Sequence, residues 1–216
     1  MTGATTWTVV VAGGSGRRFG GAKQFAPFGQ STVLAESVRV AAAAGDGVVV
    51  VVPADATASS HLDELDADVV VVGGDTRSAS VRAGLAAVPP DVEVILVHDA
   101  ARPLATPELF DRVIEAIAAG ADGAVPVVPV SDSLRTVSGA PVDRDGLMAV
   151  QTPQGFRAAA LRAVHATAPE ASDDASLVTA AGGTVVHVEG ERWNFKLTEP
   201  ADLVVADAVW NARIEA

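Results

Sequence analysis

The strongest constraint on the fold is the alternation of short valine-rich runs with longer segments of helical pattern. The runs are almost continuously apolar, which is typical of parallel strands that are buried on both faces. They are Thr8–Ala12, Val48–Val52, Val69–Val72, Val92–Val97, Gly123–Val128 and Thr184–Val188. The predicted helices are Thr32–Ala44, Ala58–Leu65, Ala79–Val88, Pro107–Ala119, Ala158–Ala168, Asp173–Ala181 and Pro200–Ala212. The alternation predicts an α/β fold in three layers, with a mostly parallel sheet between two layers of helices.

One region interrupts this alternation. Between Ser131 and Gln154 the chain is polar and rich in turn residues, including Ser138-Gly139-Ala140-Pro141 and Asp145-Gly146. This composition predicts a β-hairpin arm that projects from the domain. Because no repeat, low-complexity tract or linker divides the rest of the chain, we predict one domain over residues 1–216.

Composition excludes several functional classes. The chain has 49% hydrophobic and 19% charged residues, which is enough for a sizeable core. Its apolar runs are far shorter than the roughly 20 residues that span a bilayer, so we expect a cytoplasmic protein without a membrane partner. A net charge of −12 argues against a nucleic-acid partner. With no cysteine and four scattered histidines, the metal to expect is Mg²⁺ held by oxygen.

The distribution of lysine indicates where the chemistry lies. The chain has two lysines against thirteen arginines. Such a chain should retain lysine where a compact ammonium is needed and a flat guanidinium does not serve. Lys23 follows a glycine-rich turn, and Lys196 lies in Trp193-Asn194-Phe195-Lys196-Leu197-Thr198. Both lysines are therefore candidate site residues.

The glycine-rich turn predicts a nucleotide site. The segment reads Gly13-Gly14-Ser15-Gly16-Arg17-Arg18-Phe19-Gly20-Gly21-Ala22-Lys23. It is neither a dinucleotide fingerprint, because Phe19 stands at the third small position, nor a Walker loop, because Gly-Lys-Ser/Thr is missing. Backbone N–H groups of such a turn can surround phosphate oxygens. Arg17, Arg18 and Lys23 would stabilise negative charge on the α-phosphate of a triphosphate.

Two further segments follow predicted strands, at the sheet edge where ligands of open α/β sheets bind. The first, Gly73-Gly74-Asp75-Thr76-Arg77-Ser78-Ala79-Ser80, places Arg77 and Ser80 near that edge. The second, His98-Asp99-Ala100-Ala101-Arg102, follows the strand Val92–Val97. It places Asp99 to contact Mg²⁺ or substrate hydroxyl groups and Arg102 to contact a phosphate. A salt bridge within the second segment is the alternative. For His98 we expect a structural role.

Six motifs in order carry a resemblance to a known family. They are Ala12-Gly13-Gly14-Ser15-Gly16-Arg17-Arg18 with Lys23-Gln24, Gly73-Gly74-Asp75-Thr76-Arg77-Ser78-Ala79-Ser80-Val81, Val97-His98-Asp99-Ala100-Ala101-Arg102-Pro103, Gln151-Thr152-Pro153-Gln154-Gly155-Phe156, Ser172-Asp173-Asp174-Ala175-Ser176 and Asn194-Phe195-Lys196. The chain resembles the 2-C-methyl-D-erythritol 4-phosphate cytidylyltransferase family over nearly its whole length. The resemblance implies a Rossmann-like nucleotidyltransferase fold, and transfer of CMP from CTP to methylerythritol phosphate with release of pyrophosphate. It also implies Mg²⁺ as cofactor and a homodimer that exchanges its arms.

The same resemblance implies roles for individual residues. Lys23 and an arginine of the Arg17-Arg18 pair stabilise the transition state, while Lys196 and an arm arginine, taken as Arg157, position the sugar phosphate. Asp99 is also the expected metal ligand. The nucleotide-binding residues are Ala12, Gly13, Gly14, Ser15, Gly16, Gly74, Asp75, Arg77, Ser80, Asp99 and Arg102.

Some readings stay open. The Asp173-Asp174 pair is expected mainly to stabilise a helix N-terminus. A ribitol 5-phosphate cytidylyltransferase and a non-catalytic nucleotide sensor remain as alternative functions.

Overall fold

The computed structural model describes residues 4–13, 19 and 22–214. The strands are β1 Thr6–Val11, β2 Pro27–Phe28, β3 Ser31–Thr32, β4 Gly47–Val52, β5 Val69–Val72, β6 Val94–Asp99, β7 Gly123–Pro129, β8 Leu134–Arg135, β9 Pro141–Val142, β10 Met148–Val150, β11 Gln154–Arg157 and β12 Val185–Glu189. The α-helices are α1 Val33–Ala43, α2 Arg77–Ala87, α3 Pro107–Ala118, α4 Ala158–His165, α5 Asp174–Ala180 and α6 Pro200–Ile214. None of the described helices has the length and apolar content of a membrane span.

One mixed sheet forms the middle layer. Parallel pairing joins β5 to β4, β4 to β1 and β1 to β6. Strand β11 runs antiparallel between β6 and β7, and β12 pairs in parallel with β7. The carboxyl ends of β1, β4, β5 and β6 therefore lie at one edge of the sheet, where the predicted ligand-binding segments begin.

Two apolar layers cover the sheet. On one face, α1 and α3 contribute Leu34, Val38, Leu109 and Phe110 to a core that includes alternate residues of β4 and β6. On the other face, α2, α4 and α5 bury Val81, Leu85, Leu161 and Val178. Every residue of β4 and β6 is buried, as their continuous apolar runs predict. The predicted three-layer fold is confirmed.

Helix starts follow from local capping. The side chains of Thr32, Thr76, Thr106 and Asp173 accept hydrogen bonds from backbone N–H groups in the first turns of α1, α2, α3 and α5. Each bond satisfies a donor that has no partner within its helix. Six of the seven predicted helices occur, with small shifts at their ends.

The predicted helix Ala58–Leu65 is wrong. Two short 3₁₀ turns, Ala54–Ala56 and Ser60–Leu62, occupy this region instead. Only Leu62 and Leu65 of the segment pack on the core, and both are partly exposed. So small an apolar face does not offset the cost of helix nucleation, and the adjacent serines favour turns.

The predicted arm is shorter than the interval between Ser131 and Gln154. Strands β8 and β9 form a separate two-stranded hairpin, whereas β10 returns to the main sheet and pairs with β7. Between residues 131 and 150, only Leu134 and Val142 are partly buried.

Strand β11, next along the chain, is wholly internal to the sheet and was not predicted, because Gln154-Gly155-Phe156-Arg157 lacks a valine-rich pattern.

Candidate active site

A cavity of about 330 Å³ opens at the carboxyl edge of the sheet. The ends of β1 and β6, the first turn of α2, the turn at Lys23 and the segment at Lys196 surround it. Its predicted site residues are Ala12, Gly13, Lys23, Asp75, Arg77, Ser80, Asp99 and Lys196. We call it the nucleotide cavity, because the segments predicted to bind the nucleotide converge on it.

Both lysines of the chain line this cavity, although 172 other residues separate them in sequence. The Lys23 ammonium donates a hydrogen bond to the Leu197 carbonyl oxygen at 2.7 Å, directly beside Lys196. Two compact cations from opposite ends of the chain thus meet at one site. The lysine distribution predicted both residues, and the fold brings them together.

Asp99 is the anionic centre of the site. Its Oδ2 accepts a hydrogen bond from Lys196 Nζ at 2.7 Å, and Arg77 Nε lies 3.8 Å from its Oδ1. Burial acts to raise the pKa of Asp99, but Lys196, Arg77 and Arg102 outweigh it and lower the pKa to about 2. The carboxylate is therefore ionised at neutral pH and holds three cationic side chains in place.

Glycines at the ends of two strands make room for Ser80, which lines the nucleotide cavity. A Cβ on Gly73 would lie 2.6 Å from Ser80 Oγ, and one on Gly13 would lie 3.0 Å from it. The Ser80 hydroxyl can therefore lie between the ends of β1 and β5 only because both positions are glycine. The Ser80 hydroxyl donates a hydrogen bond to the Gly74 carbonyl oxygen at 3.3 Å.

A second cavity, of about 220 Å³, lies behind Asp99. Close to it, β11 pairs with β6 as far as Val97, and β10 pairs with β7. Arg102, Thr152 and Asp173 line it. Arg77, Asp99 and Lys196 line both cavities and form the wall that they share. We call the second space the acceptor cavity.

Arg102 is fixed inside the acceptor cavity rather than extended into solvent. Its NH1 donates a hydrogen bond to the Asn194 carbonyl oxygen at 2.7 Å, and its Nε lies 3.9 Å from Asp99 Oδ2. The Asn194 amide in turn donates to the Thr152 carbonyl oxygen at 2.9 Å. Burial lowers the pKa of Arg102, and the neighbouring carboxylate Asp99 opposes that effect.

His98 has a structural environment, as expected. The Thr152 hydroxyl accepts the Asp99 N–H at 3.0 Å and lies 3.1 Å from His98 Nδ1. The imidazole packs against Phe110, and burial lowers the pKa of His98 to about 4. A neutral histidine at this position fixes Thr152 and the start of the loop after β6.

The two aspartates of Asp173-Asp174 have different environments. Asp173 caps α5, because its Oδ1 accepts the Ser176 N–H at 2.9 Å. Asp174 is fully buried, and its Oδ2 accepts from Arg77 NH1 at 2.8 Å. The helix-terminus interpretation therefore holds for the first aspartate, whereas the second contacts a residue of the shared wall.

Arg157 does not join this group within its own chain. It ends β11 opposite Val94, five residues before Asp99 on β6 and hence about 16 Å away along the strand. There it is half exposed, and its Nε lies 3.8 Å from Asp122 Oδ1.

The predicted residues Gly14, Ser15, Gly16, Arg17 and Arg18 lie outside the described residues.

Comparison with known proteins identifies the family. The family model for 2-C-methyl-D-erythritol 4-phosphate cytidylyltransferase matches residues 6–212. The chain belongs to this family. Proteins of that name from Streptomyces avermitilis and Rubrobacter xylanophilus are 42% and 41% identical to it, over 96% and 99% of this chain and 92% and 97% of theirs. The crystal structure of the protein of that name from Thermus thermophilus has a TM-score of 0.81 at 39% identity, and the match covers 94% of this chain and 98% of that one.

Family membership confirms the predicted class of enzyme and the nucleotidyltransferase fold. Sequence reasoning missed three residues that shape the site: Asn194, His165 and Asp174. Asn194 and Asp174 stand in motifs that carried the resemblance, so a signal for them existed. No sequence signal marked His165, which ends an ordinary amphipathic helix.

Proposed function

We propose that the protein transfers CMP from CTP to 2-C-methyl-D-erythritol 4-phosphate and releases pyrophosphate. The observation that carries the proposal is the pair of cavities with a shared wall of Arg77, Asp99 and Lys196. A transfer between two phosphate-bearing substrates requires two binding spaces that meet at the reacting phosphorus.

The nucleotide cavity supports CTP binding. Ser80, Gly13 and the first turn of α2 line it and supply hydrogen-bonding groups for the base and ribose. Lys23 lines the same cavity and contributes positive charge for the triphosphate. We assign Lys23 to the α-phosphate, where negative charge increases during attack.

The acceptor cavity supports binding of the sugar phosphate. Lys196 and Arg102 line it and offer an ammonium and a guanidinium near Asp99 Oδ2. A phosphate monoester is anionic near neutral pH, so its oxygen can attack the α-phosphorus of CTP without a general base. The new P–O bond forms as the bond to the β-phosphate breaks, and pyrophosphate leaves with that electron pair.

Mg²⁺ is the proposed cofactor, and the residues present fit it. Asp99 stays ionised beside the nucleotide cavity, and no cluster of three or more His, Asp or Glu side chains converges within the described part of the chain. Mg²⁺ commonly uses one or two carboxylates together with substrate phosphates. Asp99 and the triphosphate oxygens would therefore hold it. When bound, the ion neutralises charge on the phosphates.

We also propose that the enzyme is a homodimer. Leu147, Met148 and Val150 expose apolar surface on and beside β10, next to a hairpin that is almost wholly exposed. A two-stranded hairpin is marginal in water unless it packs on something. A second copy is the partner that closed symmetry favours.

A pyrophosphate-release assay tests the reaction. Purified protein with CTP and Mg²⁺ should release pyrophosphate when methylerythritol phosphate is added, and much less with ribitol 5-phosphate. Equal or faster turnover of ribitol 5-phosphate would contradict the substrate assignment. If the protein binds CTP but releases no pyrophosphate with either sugar phosphate, a nucleotide sensor would be favoured.

A further inference from the structure

A buried histidine is connected to the wall between the two cavities through one carboxylate. His165 ends α4 and Asp174 begins α5, and both side chains are almost completely buried. His165 Nε2 lies 2.8 Å from Asp174 Oδ1. Arg77 NH1 lies 2.8 Å from the other oxygen of the same carboxylate, Oδ2. Asp174 therefore joins the imidazole to a guanidinium that lines both cavities.

The direction of these hydrogen bonds is fixed by the charge of Asp174. Burial acts to raise its pKa, but the hydrogen bond from His165 and the positive charge of Arg77 hold the pKa below the ordinary value. An ionised carboxylate only accepts, so His165 Nε2 carries the proton and donates it to Oδ1. Nδ1 of the imidazole has no hydrogen-bond partner among the residues that the structure describes. The polar contact of this buried ring is thus made to Asp174.

Arg77 needs this second anchor because another carboxylate competes for it. Its Nε lies 3.8 Å from Asp99 Oδ1, while NH1 is bonded to Asp174. Asp99 already accepts a hydrogen bond from Lys196. If the Asp174 carboxylate could rotate, the guanidinium would be free to move towards Asp99 and disturb that ion pair. The bond from His165 prevents this rotation by holding Oδ1.

The backbone around Asp174 is held independently of His165. The Ala171 N–H donates to Ser78 Oγ at 3.1 Å, and Arg82 NH1 donates to the Pro169 carbonyl oxygen at 2.8 Å. Both anchors come from α2, the helix that begins at Arg77. Loss of the imidazole should therefore affect the orientation of the carboxylate more than the path of the chain.

We propose that His165 is a positioning residue, which acts through Asp174 to fix the Arg77 guanidinium on the wall shared by the two cavities. That the two cavities bind CTP and the sugar phosphate rests on the proposed function. The positioning itself is a property of the protein without ligands.

Two substitutions test the kinetic consequence. His165→Leu keeps apolar bulk but removes the donor, whereas His165→Gln places an amide N–H near the position of Nε2. We expect the leucine variant to raise KM for CTP by about tenfold with kcat nearly unchanged, since a hydrogen bond to a charged group is lost from ground-state binding. The glutamine variant should recover most of that loss. Leu161→Val, on the same buried face of α4, is the control for destabilisation and should leave KM unchanged.

A measurement without substrate separates this proposal from the proposed function. In ¹⁵N-labelled protein, the Arg77 side-chain N–H signals, assigned with Arg77→Lys, should show a guanidinium with restricted rotation. They should do so in the wild type and in His165→Gln, but show an averaged guanidinium in His165→Leu.

Unchanged Arg77 signals in folded His165→Leu would overturn the positioning role, even if the enzyme is active. If the wild type shows no cytidylyl transfer, the proposed function fails and the Arg77 signals still decide. Should His165→Leu not fold, Asp174→Asn replaces it, and Arg77 signals that stay restricted in that variant would likewise overturn the proposal.

Discussion

At the scale of single residues, Asp99 and Asp174 are buried, whereas Arg77 and Lys196, which pair with them, stay within reach of solvent. The side chains of Asp99 and Asp174 are 10% and 1% exposed, whereas those of Arg77 and Lys196 are 23% and 40% exposed. The two carboxylates fix cations that can approach an incoming phosphate. This arrangement lets an acidic chain present local positive charge to anionic substrates.

Lys23→Ala should lower kcat by at least about a hundredfold, because it removes a cation assigned to the charge that develops on the α-phosphate. Steady-state kinetics at saturating CTP measure this. Stability should change little, since the lysine side chain is only partly buried and lies in a short 3₁₀ turn. Lys23→Arg is the matched control that keeps the charge but not the compact ammonium. A near-normal kcat in the alanine variant would show that Lys23 is only a surface charge.

Asp174→Asn should change how stability depends on pH. The pKa of Asp174 in the folded protein lies below its ordinary value of 3.8, so the unfolded chain binds more protons in this range and stability rises with pH. The contribution of Asp174 is therefore complete above about pH 3.8 and is lost as pH falls through the lower folded pKa.

Urea unfolding of the wild type and Asp174→Asn measures this effect. The difference in unfolding free energy should be constant near neutral pH and shrink below pH 3.8. Exposed Asp111→Asn makes the same charge change as a control. A difference that does not vary with pH would contradict the assignment.

At the scale of elements, site residues lie where strands end and where helices begin. The last helix illustrates this. Thr198 precedes this helix, and its hydroxyl donates a hydrogen bond to Asp202 Oδ2 at 2.8 Å. The same oxygen accepts the N–H groups of Thr198 and Glu199. Asp202, in the first turn of α6, thereby holds the segment that carries Lys196 and Leu197.

Asp202→Ala should destabilise the protein by about 1 kcal/mol, the usual effect of losing a helix cap. It should also raise KM for the sugar phosphate, because the segment with Lys196 loses its attachment to α6. Thermal unfolding and steady-state kinetics measure the two effects. Asp207→Asn removes a charge later in the same helix and should change neither. An unchanged Tm in Asp202→Ala would show that α6 does not depend on this cap.

What the sequence could predict follows from the range of the interactions involved. The valine runs specify buried strands through local pattern alone, and the threonine caps specify helix starts through contacts three residues apart. The lysine distribution pointed to two residues that the fold brings to one cavity. The contacts of Asp174 with Arg77 and of Arg102 with Asn194 span 97 and 92 residues, so only the folded chain defines them. Strand β11 was missed for the same reason, since its place between β6 and β7 depends on tertiary pairing.

At the scale of the whole molecule, the hairpin is the part that one subunit does not explain. It adds almost nothing to the core, and within the described residues it packs mainly on itself. Arg144 in this arm donates to the Ser131 carbonyl oxygen and is otherwise exposed. Arg157 lies away from the cavities of its own subunit. The placement of Arg144 suits an arm that completes the site of a neighbouring subunit, whereas Arg157 lies on β11 within the main sheet and is not part of the arm.

Mixing two inactive variants tests whether the arm is shared between subunits. One variant is Lys23→Ala, and the other replaces residues 132–146 with a short turn. Because Met148 pairs with Pro129, such a turn can join β7 directly to β10 without disturbing the sheet. A mixed dimer would contain one site with both an intact Lys23 and a donated arm. We therefore expect partial recovery of pyrophosphate release after the two proteins are mixed and allowed to exchange subunits. A mixture of Lys23→Ala with Lys23→Met should stay inactive, since every site then lacks the lysine. If tagged subunits co-purify as mixed dimers and activity does not return, each subunit must build its site alone.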